Sequence, residues 1–282
     1  MKRGGKIRLS FVLVLSLMLL FLFISINQEF PLTGFVLDAP TNITTESIQH
    51  LWVRHNPVMN MVYDSDNKLV YFAGESGVFG LYNRTVNTTE DLRGTDTGNW
   101  IGTTQINALT YNSNDKLIYF AGNTGVFGLY NRTDNTTEDL RGTDGATNWI
   151  GSANLLYDLT YDMDRKIIYL TGNTGVFGLY NRTVNTTEDL RGTDTGNWIG
   201  TQTLRKVIFD SNITLTYLAG DTGIFGIYNR TSNTTEDLNL PNDWVRFNNI
   251  NDITYDSNNK LIYLGGDSGT FGNYNRTLNT KE

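Results

Sequence analysis

Beyond the first thirty residues the chain alternates short apolar runs with polar clusters, and no stretch carries apolar residues at the spacing of a helical face. One stretch shows the pattern most plainly: "INALTYN" from Ile106, "KLIYFAG" from Lys116, "GVFGLYN" from Gly125 and an outer "TEDLRG" from Thr137, separated by "NSND", Gly-rich and "NRTDNT" clusters. β-Branched and aromatic runs of this length, bounded by Asn, Asp, Gly and Thr, predict four strands joined by tight turns. In the second run Leu117, Tyr119 and Ala121 fall on one face, with Ile118, Phe120 and Gly122 on the other. Both faces are apolar, so the predicted sheet must be covered on both sides.

The unit is written five times. Trp52, Trp100, Trp149, Trp198 and Trp244 recur at intervals of 48, 49, 49 and 46, and Phe-Gly pairs begin at Phe79, Phe127, Phe177, Phe225 and Phe271. Residues 77–103 and 175–201 are the same 27 letters. A four-stranded sheet covered on both faces and repeated at this period predicts an all-β, five-bladed β-propeller over residues 42–282. The fifth unit stops at "YNRTLNTKE", whereas the other units continue with "NTTEDL", and the folded part begins with "NITTESI" at Asn42. An N-terminal strand is therefore expected to close the last blade. Two chains completing a larger ring is the alternative.

Ahead of the repeats, Lys2, Arg3, Lys6 and Arg8 precede an apolar run from Leu9 to Ile26 broken only by serines. Such a run, at about 1.5 Å per residue, just spans a hydrocarbon core of about 30 Å. Residues 1–30 thus predict an N-terminal transmembrane helix acting as a signal anchor, with 31–41 as linker. A cleaved signal peptide is the rival reading, although no A-x-A-like site follows the run. Either reading exports the repeats, since the basic flank stays inside.

Composition narrows the chemistry. There is no cysteine, which excludes disulfides, thiolate nucleophiles and Cys-based metal centres, and His50 and His55 are the only histidines. Beyond residue 40 the chain carries 18 basic and 27 acidic side chains, a surface that repels phosphate backbones, so nucleic acid is not an expected partner. The acidic clusters "DSDN" at Asp64, "DMDR" at Asp162 and "DSNN" at Asp256 offer too few oxygens for calcium and read as hairpin turns. No metal or cofactor is expected.

The segment "INALTYNSNDKLIYFAGNTGVFGLYNRT", with its variants in every unit, resembles the blades of regulator-type repeat propellers found in bacterial and archaeal sensor and surface proteins. The resemblance covers residues 42–282 and implies the fold; such propellers range from sensor domains to adhesive modules. The five-fold plan is also similar to that of tachylectin-type lectins, without their sugar-binding motifs. "GTDTGNW" at Gly94–Trp100 is similar to the sialidase aspartate box, one residue short, and that box is itself a structural turn.

Two sets of residues are candidates for function. Asn-x-Ser/Thr sequons occur at Asn42 and Asn212 and, in the repeated "NRT" and "NTT" turns, at Asn83, Asn87, Asn131, Asn135, Asn181, Asn185, Asn229, Asn233 and Asn275. They read either as turn chemistry or as glycosylation sites of an exported glycoprotein. The second set follows from aligning the predicted innermost strands, where the polar residues near the start differ from unit to unit. Tyr157, Asp158, Arg205, Lys206, Asn251 and Asp252 stand at these positions and are expected to gather at one mouth of the central channel as a ligand site, or else to neutralise the channel by internal pairing. The functional expectation is a membrane-anchored, cell-surface binding module for glycans or proteins, non-catalytic. The alternatives are a glycosidase-like hydrolase using Asp158 and Asp252, and a structural surface coat.

Overall fold

A computed structural model of the chain describes residues 56–281, apart from 97, 99, 142–148, 152–153, 195, 197 and 240–247. Over these residues the chain is all-β, with five four-stranded antiparallel sheets, each built in chain order from one repeat, an arrangement consistent with a five-bladed propeller. The first sheet holds β1 (Val58–Asp64), β2 (Leu69–Gly74), β3 (Phe79–Asn83) and β4 (Thr88–Asp91); the second holds β5 (Ile106–Asn112), β6 (Leu117–Gly122), β7 (Phe127–Asn131) and β8 (Thr136–Asp139). The third comprises β9 (Leu156–Asp162), β10 (Ile167–Gly172), β11 (Phe177–Asn181) and β12 (Thr186–Asp189), and the fourth β13 (Leu204–Asp210), β14 (Leu215–Gly220), β15 (Phe225–Asn229) and β16 (Thr234–Asp237). The fifth has β17 (Ile250–Asp256), β18 (Leu261–Gly266), β19 (Phe271–Asn275) and a two-residue β20 (Thr280–Lys281).

The acidic clusters act as turn caps. Asp64 Oδ1 accepts the backbone N–H groups of Asp66 and Asn67 at 3.1 Å each, and Lys68 then takes φ 57°, which returns the chain into β2. Asn112, Asp162, Asp210 and Asp256 accept from the residue two positions on in the same way. The "NRT…NTT" turns between third and fourth strands use both of their asparagines. Asn83 Oδ1 accepts the N–H of Thr85 at 2.9 Å, while Asn87 sits at φ 56° and accepts the Tyr82 hydroxyl at 2.9 Å. Asn tolerates this left-handed conformation better than other side chains do.

Facing sheets pack through aromatic rings. Tyr71 stacks on Tyr111, Tyr119 on Tyr161 and Tyr169 on Phe209, with centroids 6.2, 5.9 and 5.9 Å apart. Edge-on pairs Phe79–Tyr130, Phe127–Tyr180, Phe177–Tyr228 and Phe225–Tyr274, at 5.9, 5.6, 5.4 and 5.5 Å, mark these three junctions and the fourth. Trp100, reached after β4, lies on the second sheet, stacked on Phe120 at 5.5 Å. A Cβ at Gly128 would come within 2.1 Å of its ring, and Gly178 and Gly226 stand likewise under Trp149 and Trp198. The "DTGNW" turn is set by Asp96, whose carboxylate accepts the N–H groups of Trp100 and Ile101 at 3.1 and 2.8 Å.

Among the described residues four apolar cores result, one between each consecutive pair of sheets. The outward face of the first sheet exposes Met61 and Tyr63, and that of the fifth exposes Phe271. β20 comes from the C-terminal end of the chain and pairs with β19 at Tyr274 and Asn275. The "NITTESI" segment expected to close the last blade, the linker and the apolar run of residues 9–26 lie outside the described residues. Among those described, no helix is long and apolar enough to cross a membrane.

Candidate functional site

The first strands of consecutive sheets lie side by side, β1 against β5, β5 against β9, β9 against β13 and β13 against β17. The variable polar positions sit at their starts, and a backbone irregularity separates them into two groups. Leu204 faces Gly220 but Lys206 faces Ala219, so Arg205 is the extra residue of a β-bulge. Met59, Asn107, Tyr157 and Asn251 hold the same place in the other sheets. A bulge re-aims its side chain away from the regular alternation.

Three of the bulge residues bond to their own sheet, and Asn107 Nδ2 also reaches Leu156 O of the third sheet at 2.8 Å. Arg205 Nε is ion-paired with Asp221 Oδ1, Asn251 Nδ2 donates to Asp267 Oδ1 at 2.6 Å, and Asn107 Nδ2 donates to Asn123 Oδ1 at 2.9 Å. Each partner opens the turn between second and third strands, sixteen residues after the bulge. Asp221 and Asp267 were not singled out from the sequence, yet the signal was there: wherever the bulge residue is a hydrogen-bond donor, an Asn or Asp stands sixteen residues on. Tyr157, half-buried, is followed at the same distance by Asn173, whose Oδ1 accepts the N–H of Leu155 at 2.8 Å.

Asp158, Lys206 and Asp252, by contrast, come together across β9, β13 and β17. Lys206 Nζ lies 4.0 Å from Asp158 Oδ2 and 3.4 Å from Asp252 Oδ1. Asp158 Oδ2 also accepts the N–H of Val207 at 3.0 Å, which ties the third sheet to the fourth. The row is graded in burial: Asp158 is 8% exposed, whereas the Asp252 side chain is 72% exposed. Burial pushes the Asp158 carboxyl up to about 6, against the opposing pull of the Lys206 ammonium and of the Val207 and Leu159 N–H groups; the Asp252 charge adds to the rise. Of the six expected site residues the structure therefore gathers these three, and it directs Arg205 and Asn251 into separate pairs.

The sequon asparagines occupy turns. Asn131, Asn181, Asn229 and Asn275 repeat the Asn83 cap at 2.9, 2.9, 2.9 and 3.0 Å, and Asn135, Asn185 and Asn233 repeat the Asn87 contact with the tyrosine hydroxyl. No protein-family model matches the chain, and no curated protein matches it at a significant level.

Proposed function

We infer that the chain is an exported binding module, held to the membrane by its N-terminal apolar segment, with a five-bladed propeller that recognises a glycan or protein at the cell surface. The observation that carries this reading is the row Asp158–Lys206–Asp252. Five repeats that are close to identical elsewhere diverge at this position, and three of the divergent residues meet in one charged group. Repetition serves the sheets; a recognition site needs a place where the repeats differ. Two carboxylates around one ammonium, open to solvent on the Asp252 side, suit hydroxyl-rich or cationic ligands. The exposed turns carrying Asn87, Asn135, Asn185 and Asn233 use Oδ1 internally, and we assign their Nδ2 atoms, with those of Asn83, Asn181, Asn229 and Asn275, as sites for a glycan coat in a glycosylating host.

A second reading, hydrolysis by two carboxyl groups, is favoured by one observation, the raised Asp158 carboxyl, since a general acid needs such a shift. Against it, Asp158 is nearly enclosed and its Oδ2 already serves Val207 and Lys206. The test is a glycan and surface-protein array probed with the full chain in detergent and with an Asp158→Ala, Lys206→Ala, Asp252→Ala variant. Ligands lost in the variant support the site. Ligands retained move recognition to the repeated turns, no ligand at all favours a structural coat, and turnover abolished by Asp158→Asn favours the hydrolase.

A further inference from the structure

Five sheets make four junctions, and the half-junctions left at the two ends match one another. At an internal junction one sheet offers a Tyr from its second strand and a Phe from its third; the next sheet answers with an aromatic from its first strand and a Tyr from its third. In the fifth sheet the offering residues are Tyr263 and Phe271, and in the first sheet the answering ones are Tyr63 and Tyr82. Phe271 is 74% exposed where Phe79, Phe127, Phe177 and Phe225 are 0% exposed. Met61 is 65% exposed where Leu109 and Leu159 are 5% exposed. On the fifth sheet a shallow depression is lined by Ile253, Tyr263, Gly265 and Phe271.

The polar marks correspond as well. Arg132 reaches Asp64 across the first junction, and Arg276 reaches Asp210 across the fourth. The same positions at the two ends are Arg84 and Asp256. Arg84 lies over the Tyr63 ring of its own sheet and donates to its hydroxyl at 3.2 Å, while Asp256 is held by Asn259. One end thus presents a cation and the other a carboxylate, in the order the internal junctions use.

We propose that the fifth sheet of one copy packs on the first sheet of a second copy, head to tail, repeating the internal junction. Closure within one chain would bury Phe271 as its four counterparts are buried; among the described residues it is left exposed. A heterologous contact of this kind grows into a ring or a filament according to the rotation it carries. The contact borders the Asp158–Lys206–Asp252 row, since Asp252 at the start of β17 also lines the depression, whereas Asp158 and Lys206 lie on the first strands of the third and fourth sheets.

Because the chain has no cysteine, single cysteines report the contact cleanly. Met61 and Gly265 correspond to Leu109 and Ala73, which share one core, and a Cβ at Gly265 meets nothing within 4 Å. Full chains carrying Met61→Cys and Gly265→Cys, mixed in detergent and treated with a short bismaleimide, should give a covalent dimer. Adding Phe271→Asp to the second chain should lower the yield at least about tenfold, the change that 1.4 kcal/mol brings. A chain with both cysteines should give a ladder of oligomers. The proposal fails if that double variant gives only an internally linked monomer, if the mixture gives no dimer, or if the yield is indifferent to Phe271→Asp.

Discussion

A carboxyl group raised by burial makes its environment measurable. Asp158 is pushed up to about 6 in the folded chain, above the ordinary 3.8. The folded state then holds its proton over a pH range in which the unfolded state has released it. This contribution to stability is present below about pH 4 and is lost as pH rises through about 6, an effect on the order of 3 kcal/mol. Thermal unfolding of wild type and Asp158→Asn from pH 4 to pH 7 should show the variant gaining relative to wild type as pH rises; a difference in Tm that does not change with pH would remove the buried carboxylic acid from the account. A second residue-scale expectation concerns Gly128, over which Trp100 lies. Gly128→Ala should destabilise by about 2 kcal/mol or more, because the methyl group overlaps the indole and Glu138 O, whereas Gly94→Ala, with nothing within 4 Å, should be close to neutral in the same denaturant titration. At this scale the sequence was readable where a residue repeats and unreadable where it acts singly. The tryptophan spacing announced a packing element, but that Asp158 would be enclosed while Asp252 stayed in water depends on which sheet is last in the row, and no local pattern carries that.

Strand starts were legible to within two residues, and the differences have local causes. The expected second strand began at Lys116 and the observed one at Leu117, because Lys116 takes φ 56° and belongs to the turn. The third begins at Phe127 and not at Gly125, whose φ of 70° places it in the turn before the strand. All five first hairpins turn through Lys or Thr at positive φ, four through Lys, and Thr214 at φ 59° is the β-branched member of that set. β-Branched side chains tolerate this region worst and Asn among the best, so Thr214→Asn should stabilise by about 0.5–1 kcal/mol in chemical denaturation; a loss of stability would mean the threonine makes a contact outweighing its strain. The bulge at the start of every first strand was not legible. It leaves the apolar alternation intact on either side, and its trace is the matched identity of residues sixteen apart, visible only when the five units are compared with one another.

In the whole molecule, stability is shared among neighbours. Among the described residues each sheet shares an apolar core with the one before and the one after, as in other repeat proteins, so the second, third and fourth sheets are held on both faces and the first and fifth on one. Amide exchange in dilute protein should accordingly be slowest in β6, β10 and β14 and faster in β2 and β18; equal protection across all five would mean that the end faces are covered in the isolated chain. The architecture of the sheets was the most legible part of the chain, since period and two-sided apolarity state it directly. Which faces remain uncovered among the described residues was not, because the end sheets carry the same aromatic positions as the middle ones. That sameness has a consequence for how such a chain changes over generations. Residues 77–103 and 175–201 are identical and lie two units apart, so a genetic slip between them removes two whole sheets and rejoins the first to the fourth through letters already in place. Every remaining seam would be of the native kind, which makes the number of sheets, more than their design, the property free to vary.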